Sequence, residues 1–265
     1  MPIAEQASVA GPRPGRGGRK PFEMVVKGAL RVARAKNNPD VRHGTFRQWC
    51  DGVAKVCADR APFAEYWNQR NEWALSGTGP LWVVLGDSTA QGLGADHPQD
   101  SYVGQVQAQF AHRTGQQWRV LNLSRSGATI HDLLRDQLPR LAALPEAPDL
   151  VTCGVGTNDL LRMPPPKIQG LFDDLIGAIP ENAVLLDVPI PEGKCRVGRF
   201  ASQYVNKVNA SLHEAADSRR LPIAYVSRHF TPPWTDKFGP DDFHPNAAGY
   251  HYWSRAVLQA IPGLR

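Results

Sequence analysis

This sequence lacks the patterns of a membrane-spanning helix and of a secretion signal, and both absences bear on the expected cellular location of the protein. No window approaches about 18 uninterrupted apolar residues, so we expect no membrane-spanning helix. The first 20 residues carry no apolar stretch behind their charges, so the pattern of a secretion signal is absent. We therefore predict a cytoplasmic protein.

Cysteine is scarce, and its spacing excludes the common cysteine-based sites. The four cysteines show no C-x-x-C pattern, which predicts free thiols in an intracellular chain. Nothing supports metal binding by these thiols, and we expect neither a metal nor a cofactor. The apolar residues around Cys153 predict that this thiol lies in the core. The four positions are Cys50, Cys57, Cys153 and Cys195.

Acidic residues are scarce in the first 36 positions. Eight basic residues face two glutamates there, a net charge of +6, which leaves −1 for the rest of a chain whose total is +5. We therefore expect no nucleic-acid-binding surface across the main body. The basic residues of this segment are Arg13, Arg16, Arg19, Lys20, Lys27, Arg31, Arg34 and Lys36.

The composition divides the amino-terminal part of the chain into two predicted pieces. Residues 1–20 are rich in glycine, proline and arginine, which predicts a basic disordered tail. Residues 21–79 are predicted to form a helical N-terminal extension. Within it, residues 22–36 have one apolar and one basic face, and residues 44–76 are again helical in pattern. The 22–36 helix would either contact the inner membrane surface peripherally or dock on the protein's own body.

After residue 79 short apolar runs alternate with longer helical patterns, as in an α/β domain that we predict to span residues 80–265. Runs apolar throughout are typical of strands buried on both faces of a parallel sheet. The predicted strands are Leu81–Leu85, Arg119–Leu123, Leu150–Val155, Ala183–Val188 and Ile223–Val226. The predicted helices lie at about 102–113, 130–144, 167–179, 200–218 and 246–260. Functional groups in such sheets gather at the carboxyl ends of the strands.

Ser88 follows the first of these strands, in the stretch VVLGDSTAQGLGA. It is either a hydroxyl that fills a turn or a nucleophile, and a serine nucleophile needs a histidine base oriented by a further group. His244 is the distinctive candidate, because Asp241 lies three residues before it and can fold back onto Nδ1. Asp242 is the second-ranked carboxylate. Taken alone, His244 is equally well read as an ordinary loop histidine.

Two further strand ends carry candidate donors for an oxyanion. Asn158, in GVGTND, would offer its side-chain amide, and Gly127, in LSRSGAT, a backbone N–H without an adjacent Cβ. The Ser88 amide is the third candidate. Taken singly, Gly127 is more simply a turn glycine and Asn158 a loop cap.

Together, however, these residues form four blocks in a set order, each after a predicted strand. The blocks are Gly86–Ser88, Gly127, Gly156–Asp159 and Asp241–His244. This arrangement resembles the SGNH (GDSL-type) hydrolase family, which is named for serine, glycine, asparagine and histidine in separate blocks. A lone GDS is a weak signal, whereas four ordered blocks are a strong one.

The resemblance implies a fold and a role for each residue. The fold would be a flavodoxin-like three-layer α/β/α sandwich with a five-stranded parallel sheet in the order 2-1-3-4-5. Ser88 would be the nucleophile, His244 the base and then the acid, and Asp241 the group that orients it. The Ser88 amide, Gly127 and Asn158 would form the oxyanion hole.

The resemblance covers about residues 80–262, with one small departure. Thr89 follows the serine where many members of the family carry leucine. By role, Asp87 and Asp159 are expected to hold their loops rather than to react. No G-x-S-x-G motif occurs in the chain, which argues against the ordinary α/β-hydrolase family.

The leading functional prediction is a serine esterase or lipase that cleaves a small or medium acyl ester through an acyl-enzyme, with that small molecule as its partner. One alternative is an acyltransferase that uses the same acyl-enzyme with an alcohol acceptor, which a dry cleft would favour. Another is a non-catalytic protein that binds a membrane surface or a partner through residues 1–76.

Overall fold

The computed structural model describes residues 45–190, 196–234 and 236–261. The predicted tail at 1–20 and the predicted basic helix at 22–36 lie outside the described residues. Among the helices within those ranges, none combines the length and the apolar character needed to cross a membrane.

The main chain alternates between strands and helices, as the sequence predicts. The strands are β1 (Leu81–Gly86), β2 (Arg119–Asn122), β3 (Leu150–Gly154), β4 (Ala183–Leu186) and β5 (Ile223–Ala224). The helices are α1 (Phe46–Ser76), α2 (Ser88–Gln91), α3 (Tyr102–Thr114), α4 (Ile130–Asp132), α5 (Leu138–Ala142), α6 (Thr157–Leu160), α7 (Pro165–Ala178), α8 (Arg196–Ser218), α9 (Val226–His229) and α10 (Ala247–Ala260). A 3₁₀ turn at Pro98–Asp100 and a π-helical segment at Leu133–Gln137 complete these elements.

All five strands are parallel and lie in the order β2-β1-β3-β4-β5, which confirms the predicted fold class. β4 ends two residues before the predicted Val188. The backbone N–H and carbonyl of Val188 pair with the side chain of Asn209 instead of a strand, at 2.9 and 2.8 Å. Since α9 begins at Val226, β5 also ends early.

Successive side chains along a strand pack into two separate cores, one on each face of the sheet, which explains why the strands are apolar throughout. In β1, Val83 and Leu85 join the core beneath α4, α5, α7 and α8, whereas Trp82 and Val84 join the core beneath α3 and α10. Alternate side chains of a strand point to opposite faces, so both faces of the sheet are covered. The result is the three-layer sandwich. Cys153 is buried in the first core, as predicted.

Helix α1 packs along the outer strand β2 and is fixed there by polar contacts. The side chain of Asn71 pairs with both the backbone N–H and the carbonyl of Asn122, at 2.7 and 2.8 Å. The Arg119 guanidinium, itself buried, donates to the carbonyls of Ala74 and Gly79. The helix lies where residues 44–76 predict one. The predicted domain boundary at residues 79 and 80 falls in the turn between α1 and β1.

Candidate active site

Ser88 lies at the carboxyl edge of the sheet, at the start of a short helix. After β1 ends, Asp87 caps α2, and its carboxylate accepts the backbone N–H of Thr89 at 2.9 Å. Ser88 is the first residue of α2. Its N–H therefore has no acceptor within the helix. The turn thus places both the hydroxyl and the backbone N–H of Ser88 at the carboxyl edge of the sheet.

Two contacts fix the end of β1 immediately before this turn. A Cβ at Gly86 would lie 2.7 Å from the carbonyl oxygen of Gly154, so glycine is needed where β1 and β3 end side by side. The side-chain amide of Gln137 accepts from the Gly86 N–H at 2.9 Å and donates to the Gly86 carbonyl at 2.8 Å. Gln137 belongs to the π-helical segment, an irregularity often found near functional sites.

Ser88, His244 and Asp241 form one line of hydrogen bonds. The imidazole Nε2 lies 2.9 Å from Ser88 Oγ, and Nδ1 lies 2.7 Å from Asp241 Oδ2. The other carboxylate oxygen, Oδ1, accepts the backbone N–H groups of Phe243 and His244 at 3.0 and 2.9 Å. All three side chains are buried. Asp241, rather than Asp242, is the carboxylate at Nδ1.

The loop that carries His244 is seated against the loop after α2 by a pair of glycines. A Cβ at Gly94 would lie 2.6 Å from the Cβ of His244, and one at Gly239 would lie 2.5 Å from the Gly94 carbonyl oxygen. Within the loop, the Gly239 N–H donates to the His244 carbonyl at 2.8 Å. Gly94 is not among the residues that the sequence predicts for the site, since its contact is with a loop far along the chain.

The two candidate oxyanion donors beyond Ser88 differ in their surroundings. Gly127 has a φ of +77°, and a Cβ built there would meet no atom within 4 Å. The Asn158 amide donates to Asp87 Oδ2 at 3.2 Å and to the Ala128 carbonyl at 3.0 Å. Both amide hydrogens of Asn158 are therefore engaged, and one must change its acceptor before it can bind a substrate oxygen.

Asp87 and Asp159 both hold backbone in place, as the sequence analysis expects. Burial raises the pKa of Asp87, against the hydrogen bonds from Thr89 and Asn158 that lower it. Asp159 is fully buried, and its carboxylate accepts the Ile130 N–H, the first of α4, at 3.1 Å. Burial raises the pKa of Asp159 to about 6.

The raised pKa of Asp159 makes the stability of the fold depend on pH. As pH rises, the unfolded chain loses this proton near pH 4 and the folded chain near pH 6, so the free energy of unfolding falls across that window. Asp159→Asn keeps an acceptor for the Ile130 N–H but removes the titration. Relative to wild type, its free energy of unfolding should rise from pH 4 to pH 6 and then level off. Urea unfolding of both proteins between pH 4 and pH 7 measures this difference, and a constant difference would contradict the assignment.

The geometry combines a hydroxyl, an imidazole and a carboxylate, which is what general-base activation of an alcohol nucleophile requires. Over residues 45–190, 196–234 and 236–261, no group of three or more histidine, cysteine, aspartate or glutamate side chains is placed to hold a metal ion.

Residues 84–252 match the family described as the GDSL-like Lipase/Acylhydrolase family. No curated protein matches the chain. Solved structures of similar fold include TesA, with 24% identity over 70% of this chain and 99% of its own and a TM-score of 0.58. A lipase/acylhydrolase from Enterococcus faecalis has 24% identity over 70% of this chain and 96% of its own, with a TM-score of 0.55. Axe2, an acetylxylan esterase from Geobacillus stearothermophilus, has 20% identity over 70% of this chain and 95% of its own, with a TM-score of 0.53.

Proposed function

The chain belongs to the GDSL-like lipase/acylhydrolase family, and from this we propose that it is a carboxylic ester hydrolase that cleaves a small or medium acyl ester. The observation that carries the proposal is the hydrogen-bonded line from Ser88 through His244 to Asp241. Axe2, an acetylxylan esterase of similar fold, agrees with this substrate class.

In the first half of the reaction Ser88 Oγ attacks the ester carbonyl carbon. Asp241 accepts the Nδ1–H of His244, which leaves Nε2 unprotonated and able to take the Ser88 proton. His244 then gives this proton to the leaving alcohol oxygen as the carbon–oxygen bond breaks. The acyl group remains on Ser88 as an ester.

In the second half water replaces the alcohol. His244 Nε2 takes a proton from the water as it attacks the acyl carbon, and returns the proton to Ser88 Oγ as the acid leaves. Acyl transfer differs only in its acceptor, an alcohol instead of water. Product analysis with a competing alcohol separates the two, because ester formation reports transfer and free acid reports hydrolysis.

Three donors are proposed for the developing oxyanion: the N–H of Ser88, the N–H of Gly127 and the amide of Asn158. The position of Asn158 supports this role. Its contact with Asp87, the residue before Ser88, fixes the side-chain amide next to the proposed nucleophile. To act as a donor, the amide exchanges one of its two present acceptors for the substrate oxygen.

We expect Asn158→Ala to lower kcat about 10²- to 10³-fold with little change in KM, because an oxyanion donor acts chiefly in the transition state. Steady-state hydrolysis of an aryl ester measures both constants. Asn182→Ala is the matched control, since the amide of Asn182 also donates to a carbonyl, that of Pro148 at 2.7 Å, but directly precedes β4 at the amino edge of the sheet. A kcat for Asn158→Ala within threefold of the control value would remove Asn158 from the oxyanion hole.

Covalent labelling tests the proposed nucleophile directly. A fluorophosphonate should add once to the protein, on Ser88, and Ser88→Ala should not be labelled. Peptide mass mapping locates the adduct. A label on another residue, or an unchanged label in Ser88→Ala, would overturn the proposal.

Contact of residues 22–36 with a membrane surface stays a prediction. Liposome flotation of the full chain and of a chain without residues 1–40 tests it, and equal behaviour of the two would contradict it.

A further inference from the structure

Helix α1 lies outside residues 84–252, the part of the chain that matches the family, yet it touches the loop that carries Asp241. The indole N–H of Trp49 donates to the backbone carbonyl of Asp241 at 3.0 Å. Trp49 is 4% exposed and Asp241 is 1% exposed, so water does not replace this bond. The contact joins positions 192 residues apart.

A second contact on the same face of α1 brings the helix backbone against this loop. A Cβ at Gly52 would overlap the carbonyl oxygen of Pro240, the residue before Asp241. Trp49 and Gly52 are three residues apart and therefore share one side of the helix. The loop therefore contacts the backbone of helix α1 as well as the side chain of Trp49.

The same helix also reaches the element that begins with Ser88. The indole N–H of Trp67 donates to the carbonyl of Gln91, the last residue of α2, at 2.9 Å. Helix α1 runs from Phe46 to Ser76 as one element. One helix therefore holds the loop that carries Asp241 and helix α2, which begins with Ser88, at a fixed separation.

We propose that Trp49 is a positioning residue for the triad: through Asp241 it fixes the loop on which Asp241 and His244 lie. This inference rests on the proposed function. The carboxylate of Asp241 accepts the backbone N–H groups of Phe243 and His244 and lies at Nδ1 of the imidazole. The Trp49 bond adds a polar contact between that loop and helix α1, and we expect its loss to let the loop shift relative to Ser88.

Trp49→Phe removes the indole N–H and keeps an aromatic ring, and Trp82→Phe is its matched control. The indole of Trp82 is also buried and donates at 3.0 Å, but to Thr152 Oγ1 inside the sheet. Both variants lose one buried hydrogen bond of the same kind. We expect Trp49→Phe to lower kcat, and the rate of fluorophosphonate labelling, about 10- to 100-fold with KM unchanged, because small misplacements of catalytic groups have effects of this size. Trp82→Phe should stay within about threefold of wild type.

A second pair of variants tests the backbone contact without changing a tryptophan. Gly52→Ala pushes the Pro240 carbonyl away, whereas Gly177→Ala, on α7, meets no atom within 4 Å. We expect kcat to fall in Gly52→Ala and to stay unchanged in Gly177→Ala. Equal kcat in these two variants, together with equal kcat in the tryptophan pair, would overturn the positioning role.

A spectroscopic signal separates this inference from the proposed function. We expect the proton between His244 Nδ1 and Asp241 Oδ2, which lie 2.7 Å apart, to give a low-field proton NMR resonance, whose position reports that hydrogen bond and not ester turnover. We expect the resonance to shift or broaden in Trp49→Phe and to stay as in wild type in Trp82→Phe. An unlabelled, inactive wild type would overturn the proposed function, whereas an unchanged resonance in Trp49→Phe would overturn the positioning role alone.

Discussion

Ser88→Ala should lower kcat for ester hydrolysis about 10⁶-fold, and His244→Ala should lower it by a similar factor. Without the Ser88 hydroxyl no acyl-enzyme forms, and without the imidazole the hydroxyl, 2.9 Å from Nε2 in the structure, has no base to take its proton. Because the two residues act in one step, the double variant should be no slower than either single variant. Steady-state rates with an aryl ester, corrected for spontaneous hydrolysis, measure all three.

Two variants control for the loss of a hydroxyl and of an imidazole elsewhere. Ser211→Ala removes a hydroxyl that bonds to the Lys207 carbonyl within α8, and His251→Ala removes an exposed imidazole on α10. Both should keep wild-type kcat. Ser88→Ala retaining more than about one hundredth of the wild-type kcat would exclude the acyl-enzyme, because removal of a triad nucleophile has a far larger effect. Multiplying effects in the double variant would show that the two residues act separately.

The fold was predictable because its signals are local. A strand buried on both faces must be apolar throughout, and β1 shows why, since its side chains alternate between two cores. The interruption of the helix predicted over residues 130–144 was not predictable. There the chain forms a π-helical segment that ends at Gln137, whose amide pairs with Gly86, and a glutamine in a helical pattern gives no sign of a contact 51 residues away.

The candidate site likewise has residues that local motifs predict and residues that only the complete fold reveals. The predicted residues Ser88, His244 and Asp241 stand in short motifs, and the parallel sheet brings the ends of its strands to one edge, where the structure places all three. Trp49 and Gly94 stand in no motif. Their contacts depend on how α1 and the loop after α2 pack against the histidine loop, which is a property of the complete fold.

Asp241→Asn should lower kcat about 10⁴-fold at neutral pH while leaving the fold intact. Oδ1 of Asp241 accepts two backbone N–H groups, from Phe243 and His244, so the amide oxygen of the asparagine takes that position. Its NH₂ group then replaces Oδ2, which lies 2.7 Å from Nδ1. An NH₂ group donates, so Nδ1 must accept and the proton moves to Nε2, where it blocks transfer from Ser88.

Asp242→Asn is the matched control for this prediction. It neutralises the neighbouring carboxylate, which the sequence ranks second, and asparagine tolerates the φ of +53° at that position. We expect kcat within about threefold of wild type for Asp242→Asn, since it is the carboxylate of Asp241 that lies at Nδ1 of His244. Steady-state kinetics and fluorophosphonate labelling of both variants provide the comparison. Equal losses in the two variants would indicate a general charge effect, and wild-type kcat in Asp241→Asn would exclude Asp241 as the group that sets the imidazole tautomer.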